Sequence, residues 1–202
     1  PNVLANVGKP DLSTTIFGKK INLPVFLSPT AMQRLYHHEG DKASARAAEK
    51  FGTFYSMSSM ANTSIEEISN LSSGPKLFQL YVHKDKGITD DLIERSKRSG
   101  FDGMCLTVDT LVAGNRERDH RTGFTTPPKL TLQSLMSFAT HPRWVFDYLT
   151  HAKFELANVS KKTDKGTNIT TSVIKYVNEQ YDPSMNWKDA EYIVKKWDGP
   201  FA

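Results

Sequence analysis

The chain has 202 residues, 38% hydrophobic and 24% charged, with a formal net charge of +4 and one cysteine. That length supports one ordinary domain with a sizeable core, and a lone cysteine excludes an intrachain disulfide framework and fits a reducing compartment. The basic residues are dispersed, so no nucleic-acid partner is indicated, and no run reaches the roughly 18 apolar residues that would span a bilayer.

Residues 1–22 hold polar turns and two short extended pieces, Leu12–Phe17 and Lys19–Ile21, expected to form an N-terminal hairpin or cover. Leu23–Ser28 reads as a first buried strand, running into Ser28-Pro29-Thr30-Ala31-Met32. His38–Phe51 has helical periodicity, with Ala43, Ala47, Ala48 and Phe51 on one stripe and Gly52 as its stop. Thr53–Met57 is the second strand. Ser64 caps a short helix, with Glu67 completing a capping box. Pro75–Leu80 is the third strand, Thr89–Arg98 a helix stopped by Gly100, and Gly103–Val108 the fourth strand. Residues 110–186 leave this rhythm as a long charged and then apolar insert. Asn186 caps a last helix from Trp187 to about Trp197, and Gly199-Pro200-Phe201-Ala202 reads as the start of a fifth strand.

Strand and helix thus alternate, as in βαβ units on a parallel sheet. Each strand ends on polar groups two apart: Ser28 and Thr30, Ser56 and Ser58, Gln79 and Tyr81, Thr107 and Asp109. Spacing by two places each pair on one face. Four strands aiming polar side chains at one end describe a shared pocket, which favours an α/β fold of the (β/α)8 TIM-barrel type over an open sheet with a single crevice. A whole barrel needs about 250 residues and eight strands. Residues 1–202 are therefore expected to be the N-terminal half of one barrel domain, with roughly four strands and the insert 110–186 after the fourth. Both ends are expected to be cut.

Among candidate site residues, Asp109 at a strand end can orient a catalytic His and stabilise its charged form; the alternative is a helix cap or an ion pair. Arg116, in the loop beyond, can pair bidentately with a carboxylate, or be a solvated loop charge. Tyr81 can donate its hydroxyl to a substrate oxygen, or be a half-buried aromatic. Ser58, Gln79 and Thr107 are neutral hydrogen-bonding groups suited to the edge of a flat heterocycle. Cys105 reads as core. None of the six histidines shows a metal-ligand spacing. Leu130–Leu149 can lie on a membrane surface, with Arg143, Trp144 and Tyr148 near the headgroups, or pack as a lid helix on its own barrel.

Ser28-Pro29-Thr30-Ala31-Met32-Gln33, Phe78-Gln79-Leu80-Tyr81, Leu106-Thr107-Val108-Asp109-Thr110 and Gly114-Asn115-Arg116-Glu117 together resemble the FMN-dependent α-hydroxy acid dehydrogenase and oxidase family. That family includes glycolate oxidase, L-lactate dehydrogenase and mandelate dehydrogenase. Thr140-His141-Pro142-Arg143-Trp144 and Asp182 to Asp189 look most like its respiratory L-lactate branch. Met60 stands where glycolate oxidase has a substrate-facing Trp. The resemblance runs from end to end and covers the family's first half-barrel. It implies FMN as cofactor, with the backbone at Thr30 and Ala31 against the ring and Ser58, Gln79 and Thr107 bonded to it. It further implies Tyr81 and Arg116 at the substrate, and Asp109 holding the catalytic His.

The implied reaction is oxidation of a small L-2-hydroxy acid, L-lactate above others, to the 2-oxo acid. The acceptor would be a quinone, a cytochrome or oxygen. The protein would be a homo-oligomer, cytoplasmic or peripheral on the inner face of the cytoplasmic membrane. The catalytic His and carboxylate-binding Arg are expected beyond Ala202, so residues 1–202 are expected to be inactive alone. Two other readings stay open: a non-redox flavin barrel enzyme such as an isomerase, and a non-catalytic segment that only binds a partner.

Overall fold

The computed structural model describes residues 8, 10–110, 114–115, 117–122, 131–152, 154–159 and 179–202. Strands β1 (Thr14–Ile16) and β2 (Lys19–Ile21) form the expected antiparallel hairpin, Thr14 opposite Ile21. Its two turn residues, Phe17 and Gly18, both have positive φ, at 50° and 74°, which matches the strands' right-handed twist. Ile21, Phe54 and Leu77 form a small buried cluster beneath the main sheet, with Phe17 and Phe26 packed on it. The hairpin is therefore a cover over one end of the sheet.

The main sheet is parallel, in the order β3 (Tyr55–Ser58), β4 (Lys76–Leu80), β5 (Gly103–Leu106). Ser58 lies opposite Gln79, and Gln79 opposite Cys105. Every residue of β3 and β4 is buried, as expected where both faces of a parallel sheet are covered. Phe201 extends the sheet beyond β5: Met104 N–H donates to Pro200 O at 3.0 Å, and Leu106 N–H to Ala202 O at 2.9 Å. The expected fifth strand thus starts where the sequence places it.

The first strand does not form as expected. Its one ladder position is Leu27, which donates to Phe54 O and accepts from Ser56 N–H, both at 3.0 Å. Val25 is half exposed. The cause is proline: Pro24 and Pro29 bracket the segment and carry no N–H, and an N–H to C=O bond from Val25 to Leu23 turns the chain at Pro24.

Helices α1 (Asp41–Phe51), α2 (Ile65–Leu71) and α3 (Lys86–Arg98) follow the strand tips in turn. Gly52 ends α1 at φ 65°, a left-handed cap that glycine adopts at no steric cost. The Ser64–Glu67 capping box is present at α2. The buried face of α1 is Asp41, Ala45 and Ala48, while Ala47 is exposed and Phe51 is 61% exposed. The expected stripe is thus rotated. Asp41 sets the rotation: its carboxylate accepts from Tyr55 Oη at 3.2 Å and Asn62 N–H at 3.0 Å. Burial pushes its pKa above the usual carboxylate range.

Within the insert lie α4 (Glu117–Thr122), α5 (Leu132–Ala139) and α6 (Pro142–Thr150); α7 (Trp187–Trp197) follows. Residues 155–159 return to the core, with Leu156 and Val159 buried. Asn158 holds them there. Its side chain accepts from Ile65 N–H at 2.9 Å and donates to Thr63 O at 3.1 Å. Arg95, bidentate to Glu66, also donates to Asn158 O at 3.1 Å.

Candidate active site

The tips of β3 and β4 and the residue past β5 carry one hydrogen-bonded chain. Ser58 Oγ donates to Gln79 Oε1 at 3.0 Å, and Gln79 Nε2 donates to Thr107 Oγ1 at 2.6 Å. Met60 N–H donates to Ser58 Oγ at 3.2 Å. Ser58 is 1% and Gln79 4% exposed, so the chain is a preorganised buried edge whose amide orientation follows from its partners. One Nε2 hydrogen of Gln79 and the Thr107 hydroxyl hydrogen are left over for a ligand. Three residues that the strand-end spacing picked out therefore meet.

Tyr81 follows on the tip of β4. Its N–H donates to Ser59 Oγ at 3.3 Å. Its ring stacks on Tyr181, centroids 4.6 Å apart and planes at 24°. Tyr81, Thr107, Thr110, Tyr181 and Met185 line one small pocket. Tyr181 reaches it because residues 180–182 pair with residues 82–84: Lys84 N–H donates to Gln180 O at 2.8 Å and Asp182 N–H to Val82 O at 3.1 Å. Asp182 fixes the next turn by accepting from Ser184 Oγ at 2.6 Å and Ser184 N–H at 2.9 Å. These bonds, with Lys86 beside them, hold its pKa down to about 2. Beneath the stack His83 is buried, and burial lowers its pKa to about 4.

Asp109 lies apart from the chain. The strand ends at Leu106, the last ladder bond runs from Thr107 N–H to Leu80 O at 3.0 Å, and Asp109 sits in an exposed bend. Strand alternation does not reach it. Thr110 Oγ1 donates to its carboxylate at 3.2 Å. Ala31 packs half-buried against the core. Its neighbour Met32, at φ 56°, donates its N–H to Met60 O at 3.3 Å and so brings the 31–32 backbone beside the tip of β3. Thr30 is exposed and lines a separate cavity of about 420 Å³ with Ser28, Gln33 and Tyr36. Arg116 lies outside the described residues. Cys105 is half-buried and burial raises its thiol pKa, which keeps it from acting as a thiolate.

Sequence reasoning missed Tyr181, whose partner Tyr81 is distant in the chain and which lies inside the expected insert. It also missed a meeting of His38, Asp147 and His151. Their spacing along the chain carries no ligand signature.

The model of the family described as FMN-dependent dehydrogenase matches residues 1–202. Glycolate oxidase 1 of Oryza sativa subsp. indica is 37% identical over 193 residues, covering 96% of this chain and 46% of that protein. L-lactate dehydrogenase of Alcaligenes faecalis is 36% identical over 199 residues, covering 98% and 52%. The chain spans about half the length of the curated relatives it matches. Among solved structures, monotopic membrane protein (S)-mandelate dehydrogenase superposes over 100% of this chain and 53% of its own, at a TM-score of 0.90 and 28% identity. A mandelate oxidase does so at 0.74 and 28%. Such coverage fits a partial barrel.

Proposed function

The chain belongs to the FMN-dependent dehydrogenase family, and on that premise we propose that the full-length protein oxidises a small L-2-hydroxy acid, L-lactate above others, to the 2-oxo acid. FMN is the family's cofactor and, when bound, takes the two electrons. The observation that carries this reading is the Ser58–Gln79–Thr107 chain. Its spare amide and hydroxyl hydrogens fit the alternating carbonyl and N–H edge of a flavin, so the residues present suit the group. The backbone at Thr30 and Ala31 would lie against the ring.

Tyr81 is proposed to hold the substrate by its hydroxyl, the Tyr181 stack fixing its ring plane. Arg116 is proposed to pair with the substrate carboxylate. Asp109 is proposed to orient the catalytic His that the rest of the barrel supplies and to stabilise its protonated form. Residues 1–202 thus furnish the flavin-facing wall and the support of the base.

The same protein is proposed to sit on a membrane surface through α5 and α6. Leu132, Met136, Phe146 and Leu149 are all more than 60% exposed there, an apolar area that water does not favour. Among the described residues no helix is long and apolar enough to cross a membrane, so the contact would be interfacial. A quinone in that membrane is the acceptor such a placement serves.

The test is direct. Purified full-length protein should carry a flavin absorbance band that bleaches without oxygen on adding L-lactate, faster than with glycolate or L-mandelate. Absence of bleaching with all three acids would overturn the assignment.

A further inference from the structure

A buried histidine lies beneath the two stacked tyrosines. His83 follows Tyr81 by two residues past the tip of β4 and stands opposite Tyr181 in an isolated antiparallel bridge. Its side chain and that of Tyr181 are therefore cross-strand neighbours. The two rings meet edge to face, centroids 5.4 Å apart and planes at 86°, while the Tyr81 and Tyr181 rings lie near parallel at 4.6 Å. The Tyr81 backbone is also close enough to the imidazole to favour its charged form against burial. His83 N–H donates to Thr89 Oγ1 at 3.0 Å, which ties the residue to α3.

These contacts matter because of how Tyr81 is held. Its side chain is half-buried, and among the described residues no hydrogen bond restrains its hydroxyl. An aromatic side chain so placed turns between rotamers unless a neighbour holds its face. Tyr181 is that neighbour. Tyr181 in turn carries two ring contacts at nearly right angles, so a tilt of its ring that favours one contact costs the other. Its segment is pinned on either side, Lys84 Nζ donating to Glu179 O at 2.8 Å and Lys86 Nζ to Asp182 Oδ2 at 3.0 Å.

We propose that His83 is a positioning residue for the substrate: it fixes the ring of Tyr181, which fixes the ring of Tyr81, which presents its hydroxyl to the 2-hydroxy acid in one direction. The inference rests on the reading of Tyr81 as the residue that holds the substrate. Burial keeps the imidazole neutral at ordinary pH, so its influence passes through ring contacts and not through charge.

The experiment uses full-length protein and L-lactate at neutral pH. The Kd for L-lactate is read from the concentration dependence of flavin reduction without oxygen. Tyr81→Phe removes the hydroxyl and should raise that Kd about tenfold. His83→Leu fills the buried space and keeps the backbone bond to Thr89. It should raise Kd about three- to tenfold, as should Tyr181→Leu. Tyr181→Phe keeps the stacking ring and should bring Kd back to within about twofold of the parent. In the Tyr81→Phe background His83→Leu should add nothing, because the hydroxyl it aims is gone, whereas a merely structural loss would add in full. Flavin content and thermal midpoint show which variants are folded, and His83→Gln, which also lacks the ring, replaces His83→Leu if that variant holds no flavin. An unchanged Kd on removing the His83 ring, beside a raised Kd in Tyr81→Phe, would overturn the positioning role and leave that of Tyr81. Full additivity would overturn it as well. A parental Kd in Tyr81→Phe would overturn the reading of Tyr81 and the role of His83 together.

Discussion

The side-chain amide of Gln79 and the hydroxyl of Thr107 are bonded at 2.6 Å across neighbouring strands, with the amide's other end occupied by Ser58. One side chain therefore sets two others at the strand tips. Gln79→Leu would leave both hydroxyls without their buried partner, at a cost of about 1–3 kcal/mol each. The expected outcome is a lower urea midpoint and FMN affinity weakened by about tenfold or more, since each 1.4 kcal/mol is a factor of ten. Fluorescence titration of apoprotein with FMN checks it.

Asp109 is exposed and outside that chain, so its role and its folding contribution separate cleanly. Asp109→Asn should keep the flavin and the thermal midpoint while turnover of L-lactate falls by about 100-fold or more, the scale of a lost acid–base contribution. Steady-state rates normalised to flavin absorbance measure this. Near-parental kcat would remove Asp109 from the mechanism.

His83 makes stability depend on pH. Its pKa is about 4 in the folded protein against about 6.5 in the unfolded chain. Between those values the unfolded state binds the extra proton, so stability rises with pH. It is complete above about pH 6.5 and declines as pH falls toward about 4, by on the order of 3 kcal/mol at about 1.4 kcal/mol per pH unit. Urea melts across this range should show that slope, and His83→Gln should flatten it.

Asn158→Ala would strip the acceptor from Ile65 N–H and the donor from Thr63 O, both at the start of α2. The expected loss is about 2–3 kcal/mol, read as a drop in thermal midpoint. Flavin content at low temperature should be retained.

The alternation of strands and helices was readable because it is local: periods of two and 3.6 need only near neighbours. For the same reason Ser58, Gln79 and Thr107 could be found by their place at strand ends. The face of α1 could not, because Asp41-Lys42-Ala43-Ser44-Ala45-Arg46-Ala47-Ala48 offers alanines on competing stripes, and distant Tyr55 and Asn62 choose between them. The first strand was overread because its apolar residues hide the missing donors of Pro24 and Pro29. Tyr181, Asn158 and the His38–His151 stack depend on segments about 90 or more residues apart meeting in space, and no local pattern announces that.

Asn158 and Asn62, which donates to Glu155 O at 2.7 Å, nail the middle of the insert beneath α2. What would be one long excursion becomes two independent loops, one leaving after Thr110 and one returning at Tyr181. Lengthening the apolar hairpin in the first loop adds only closure entropy, which grows slowly with length, and replacing it gives up the hairpin's own contacts to the loop before α1, Trp144 to Leu35 O and His151 on His38. The surface the protein shows its surroundings can therefore be exchanged without disturbing the Tyr81–Tyr181 stack.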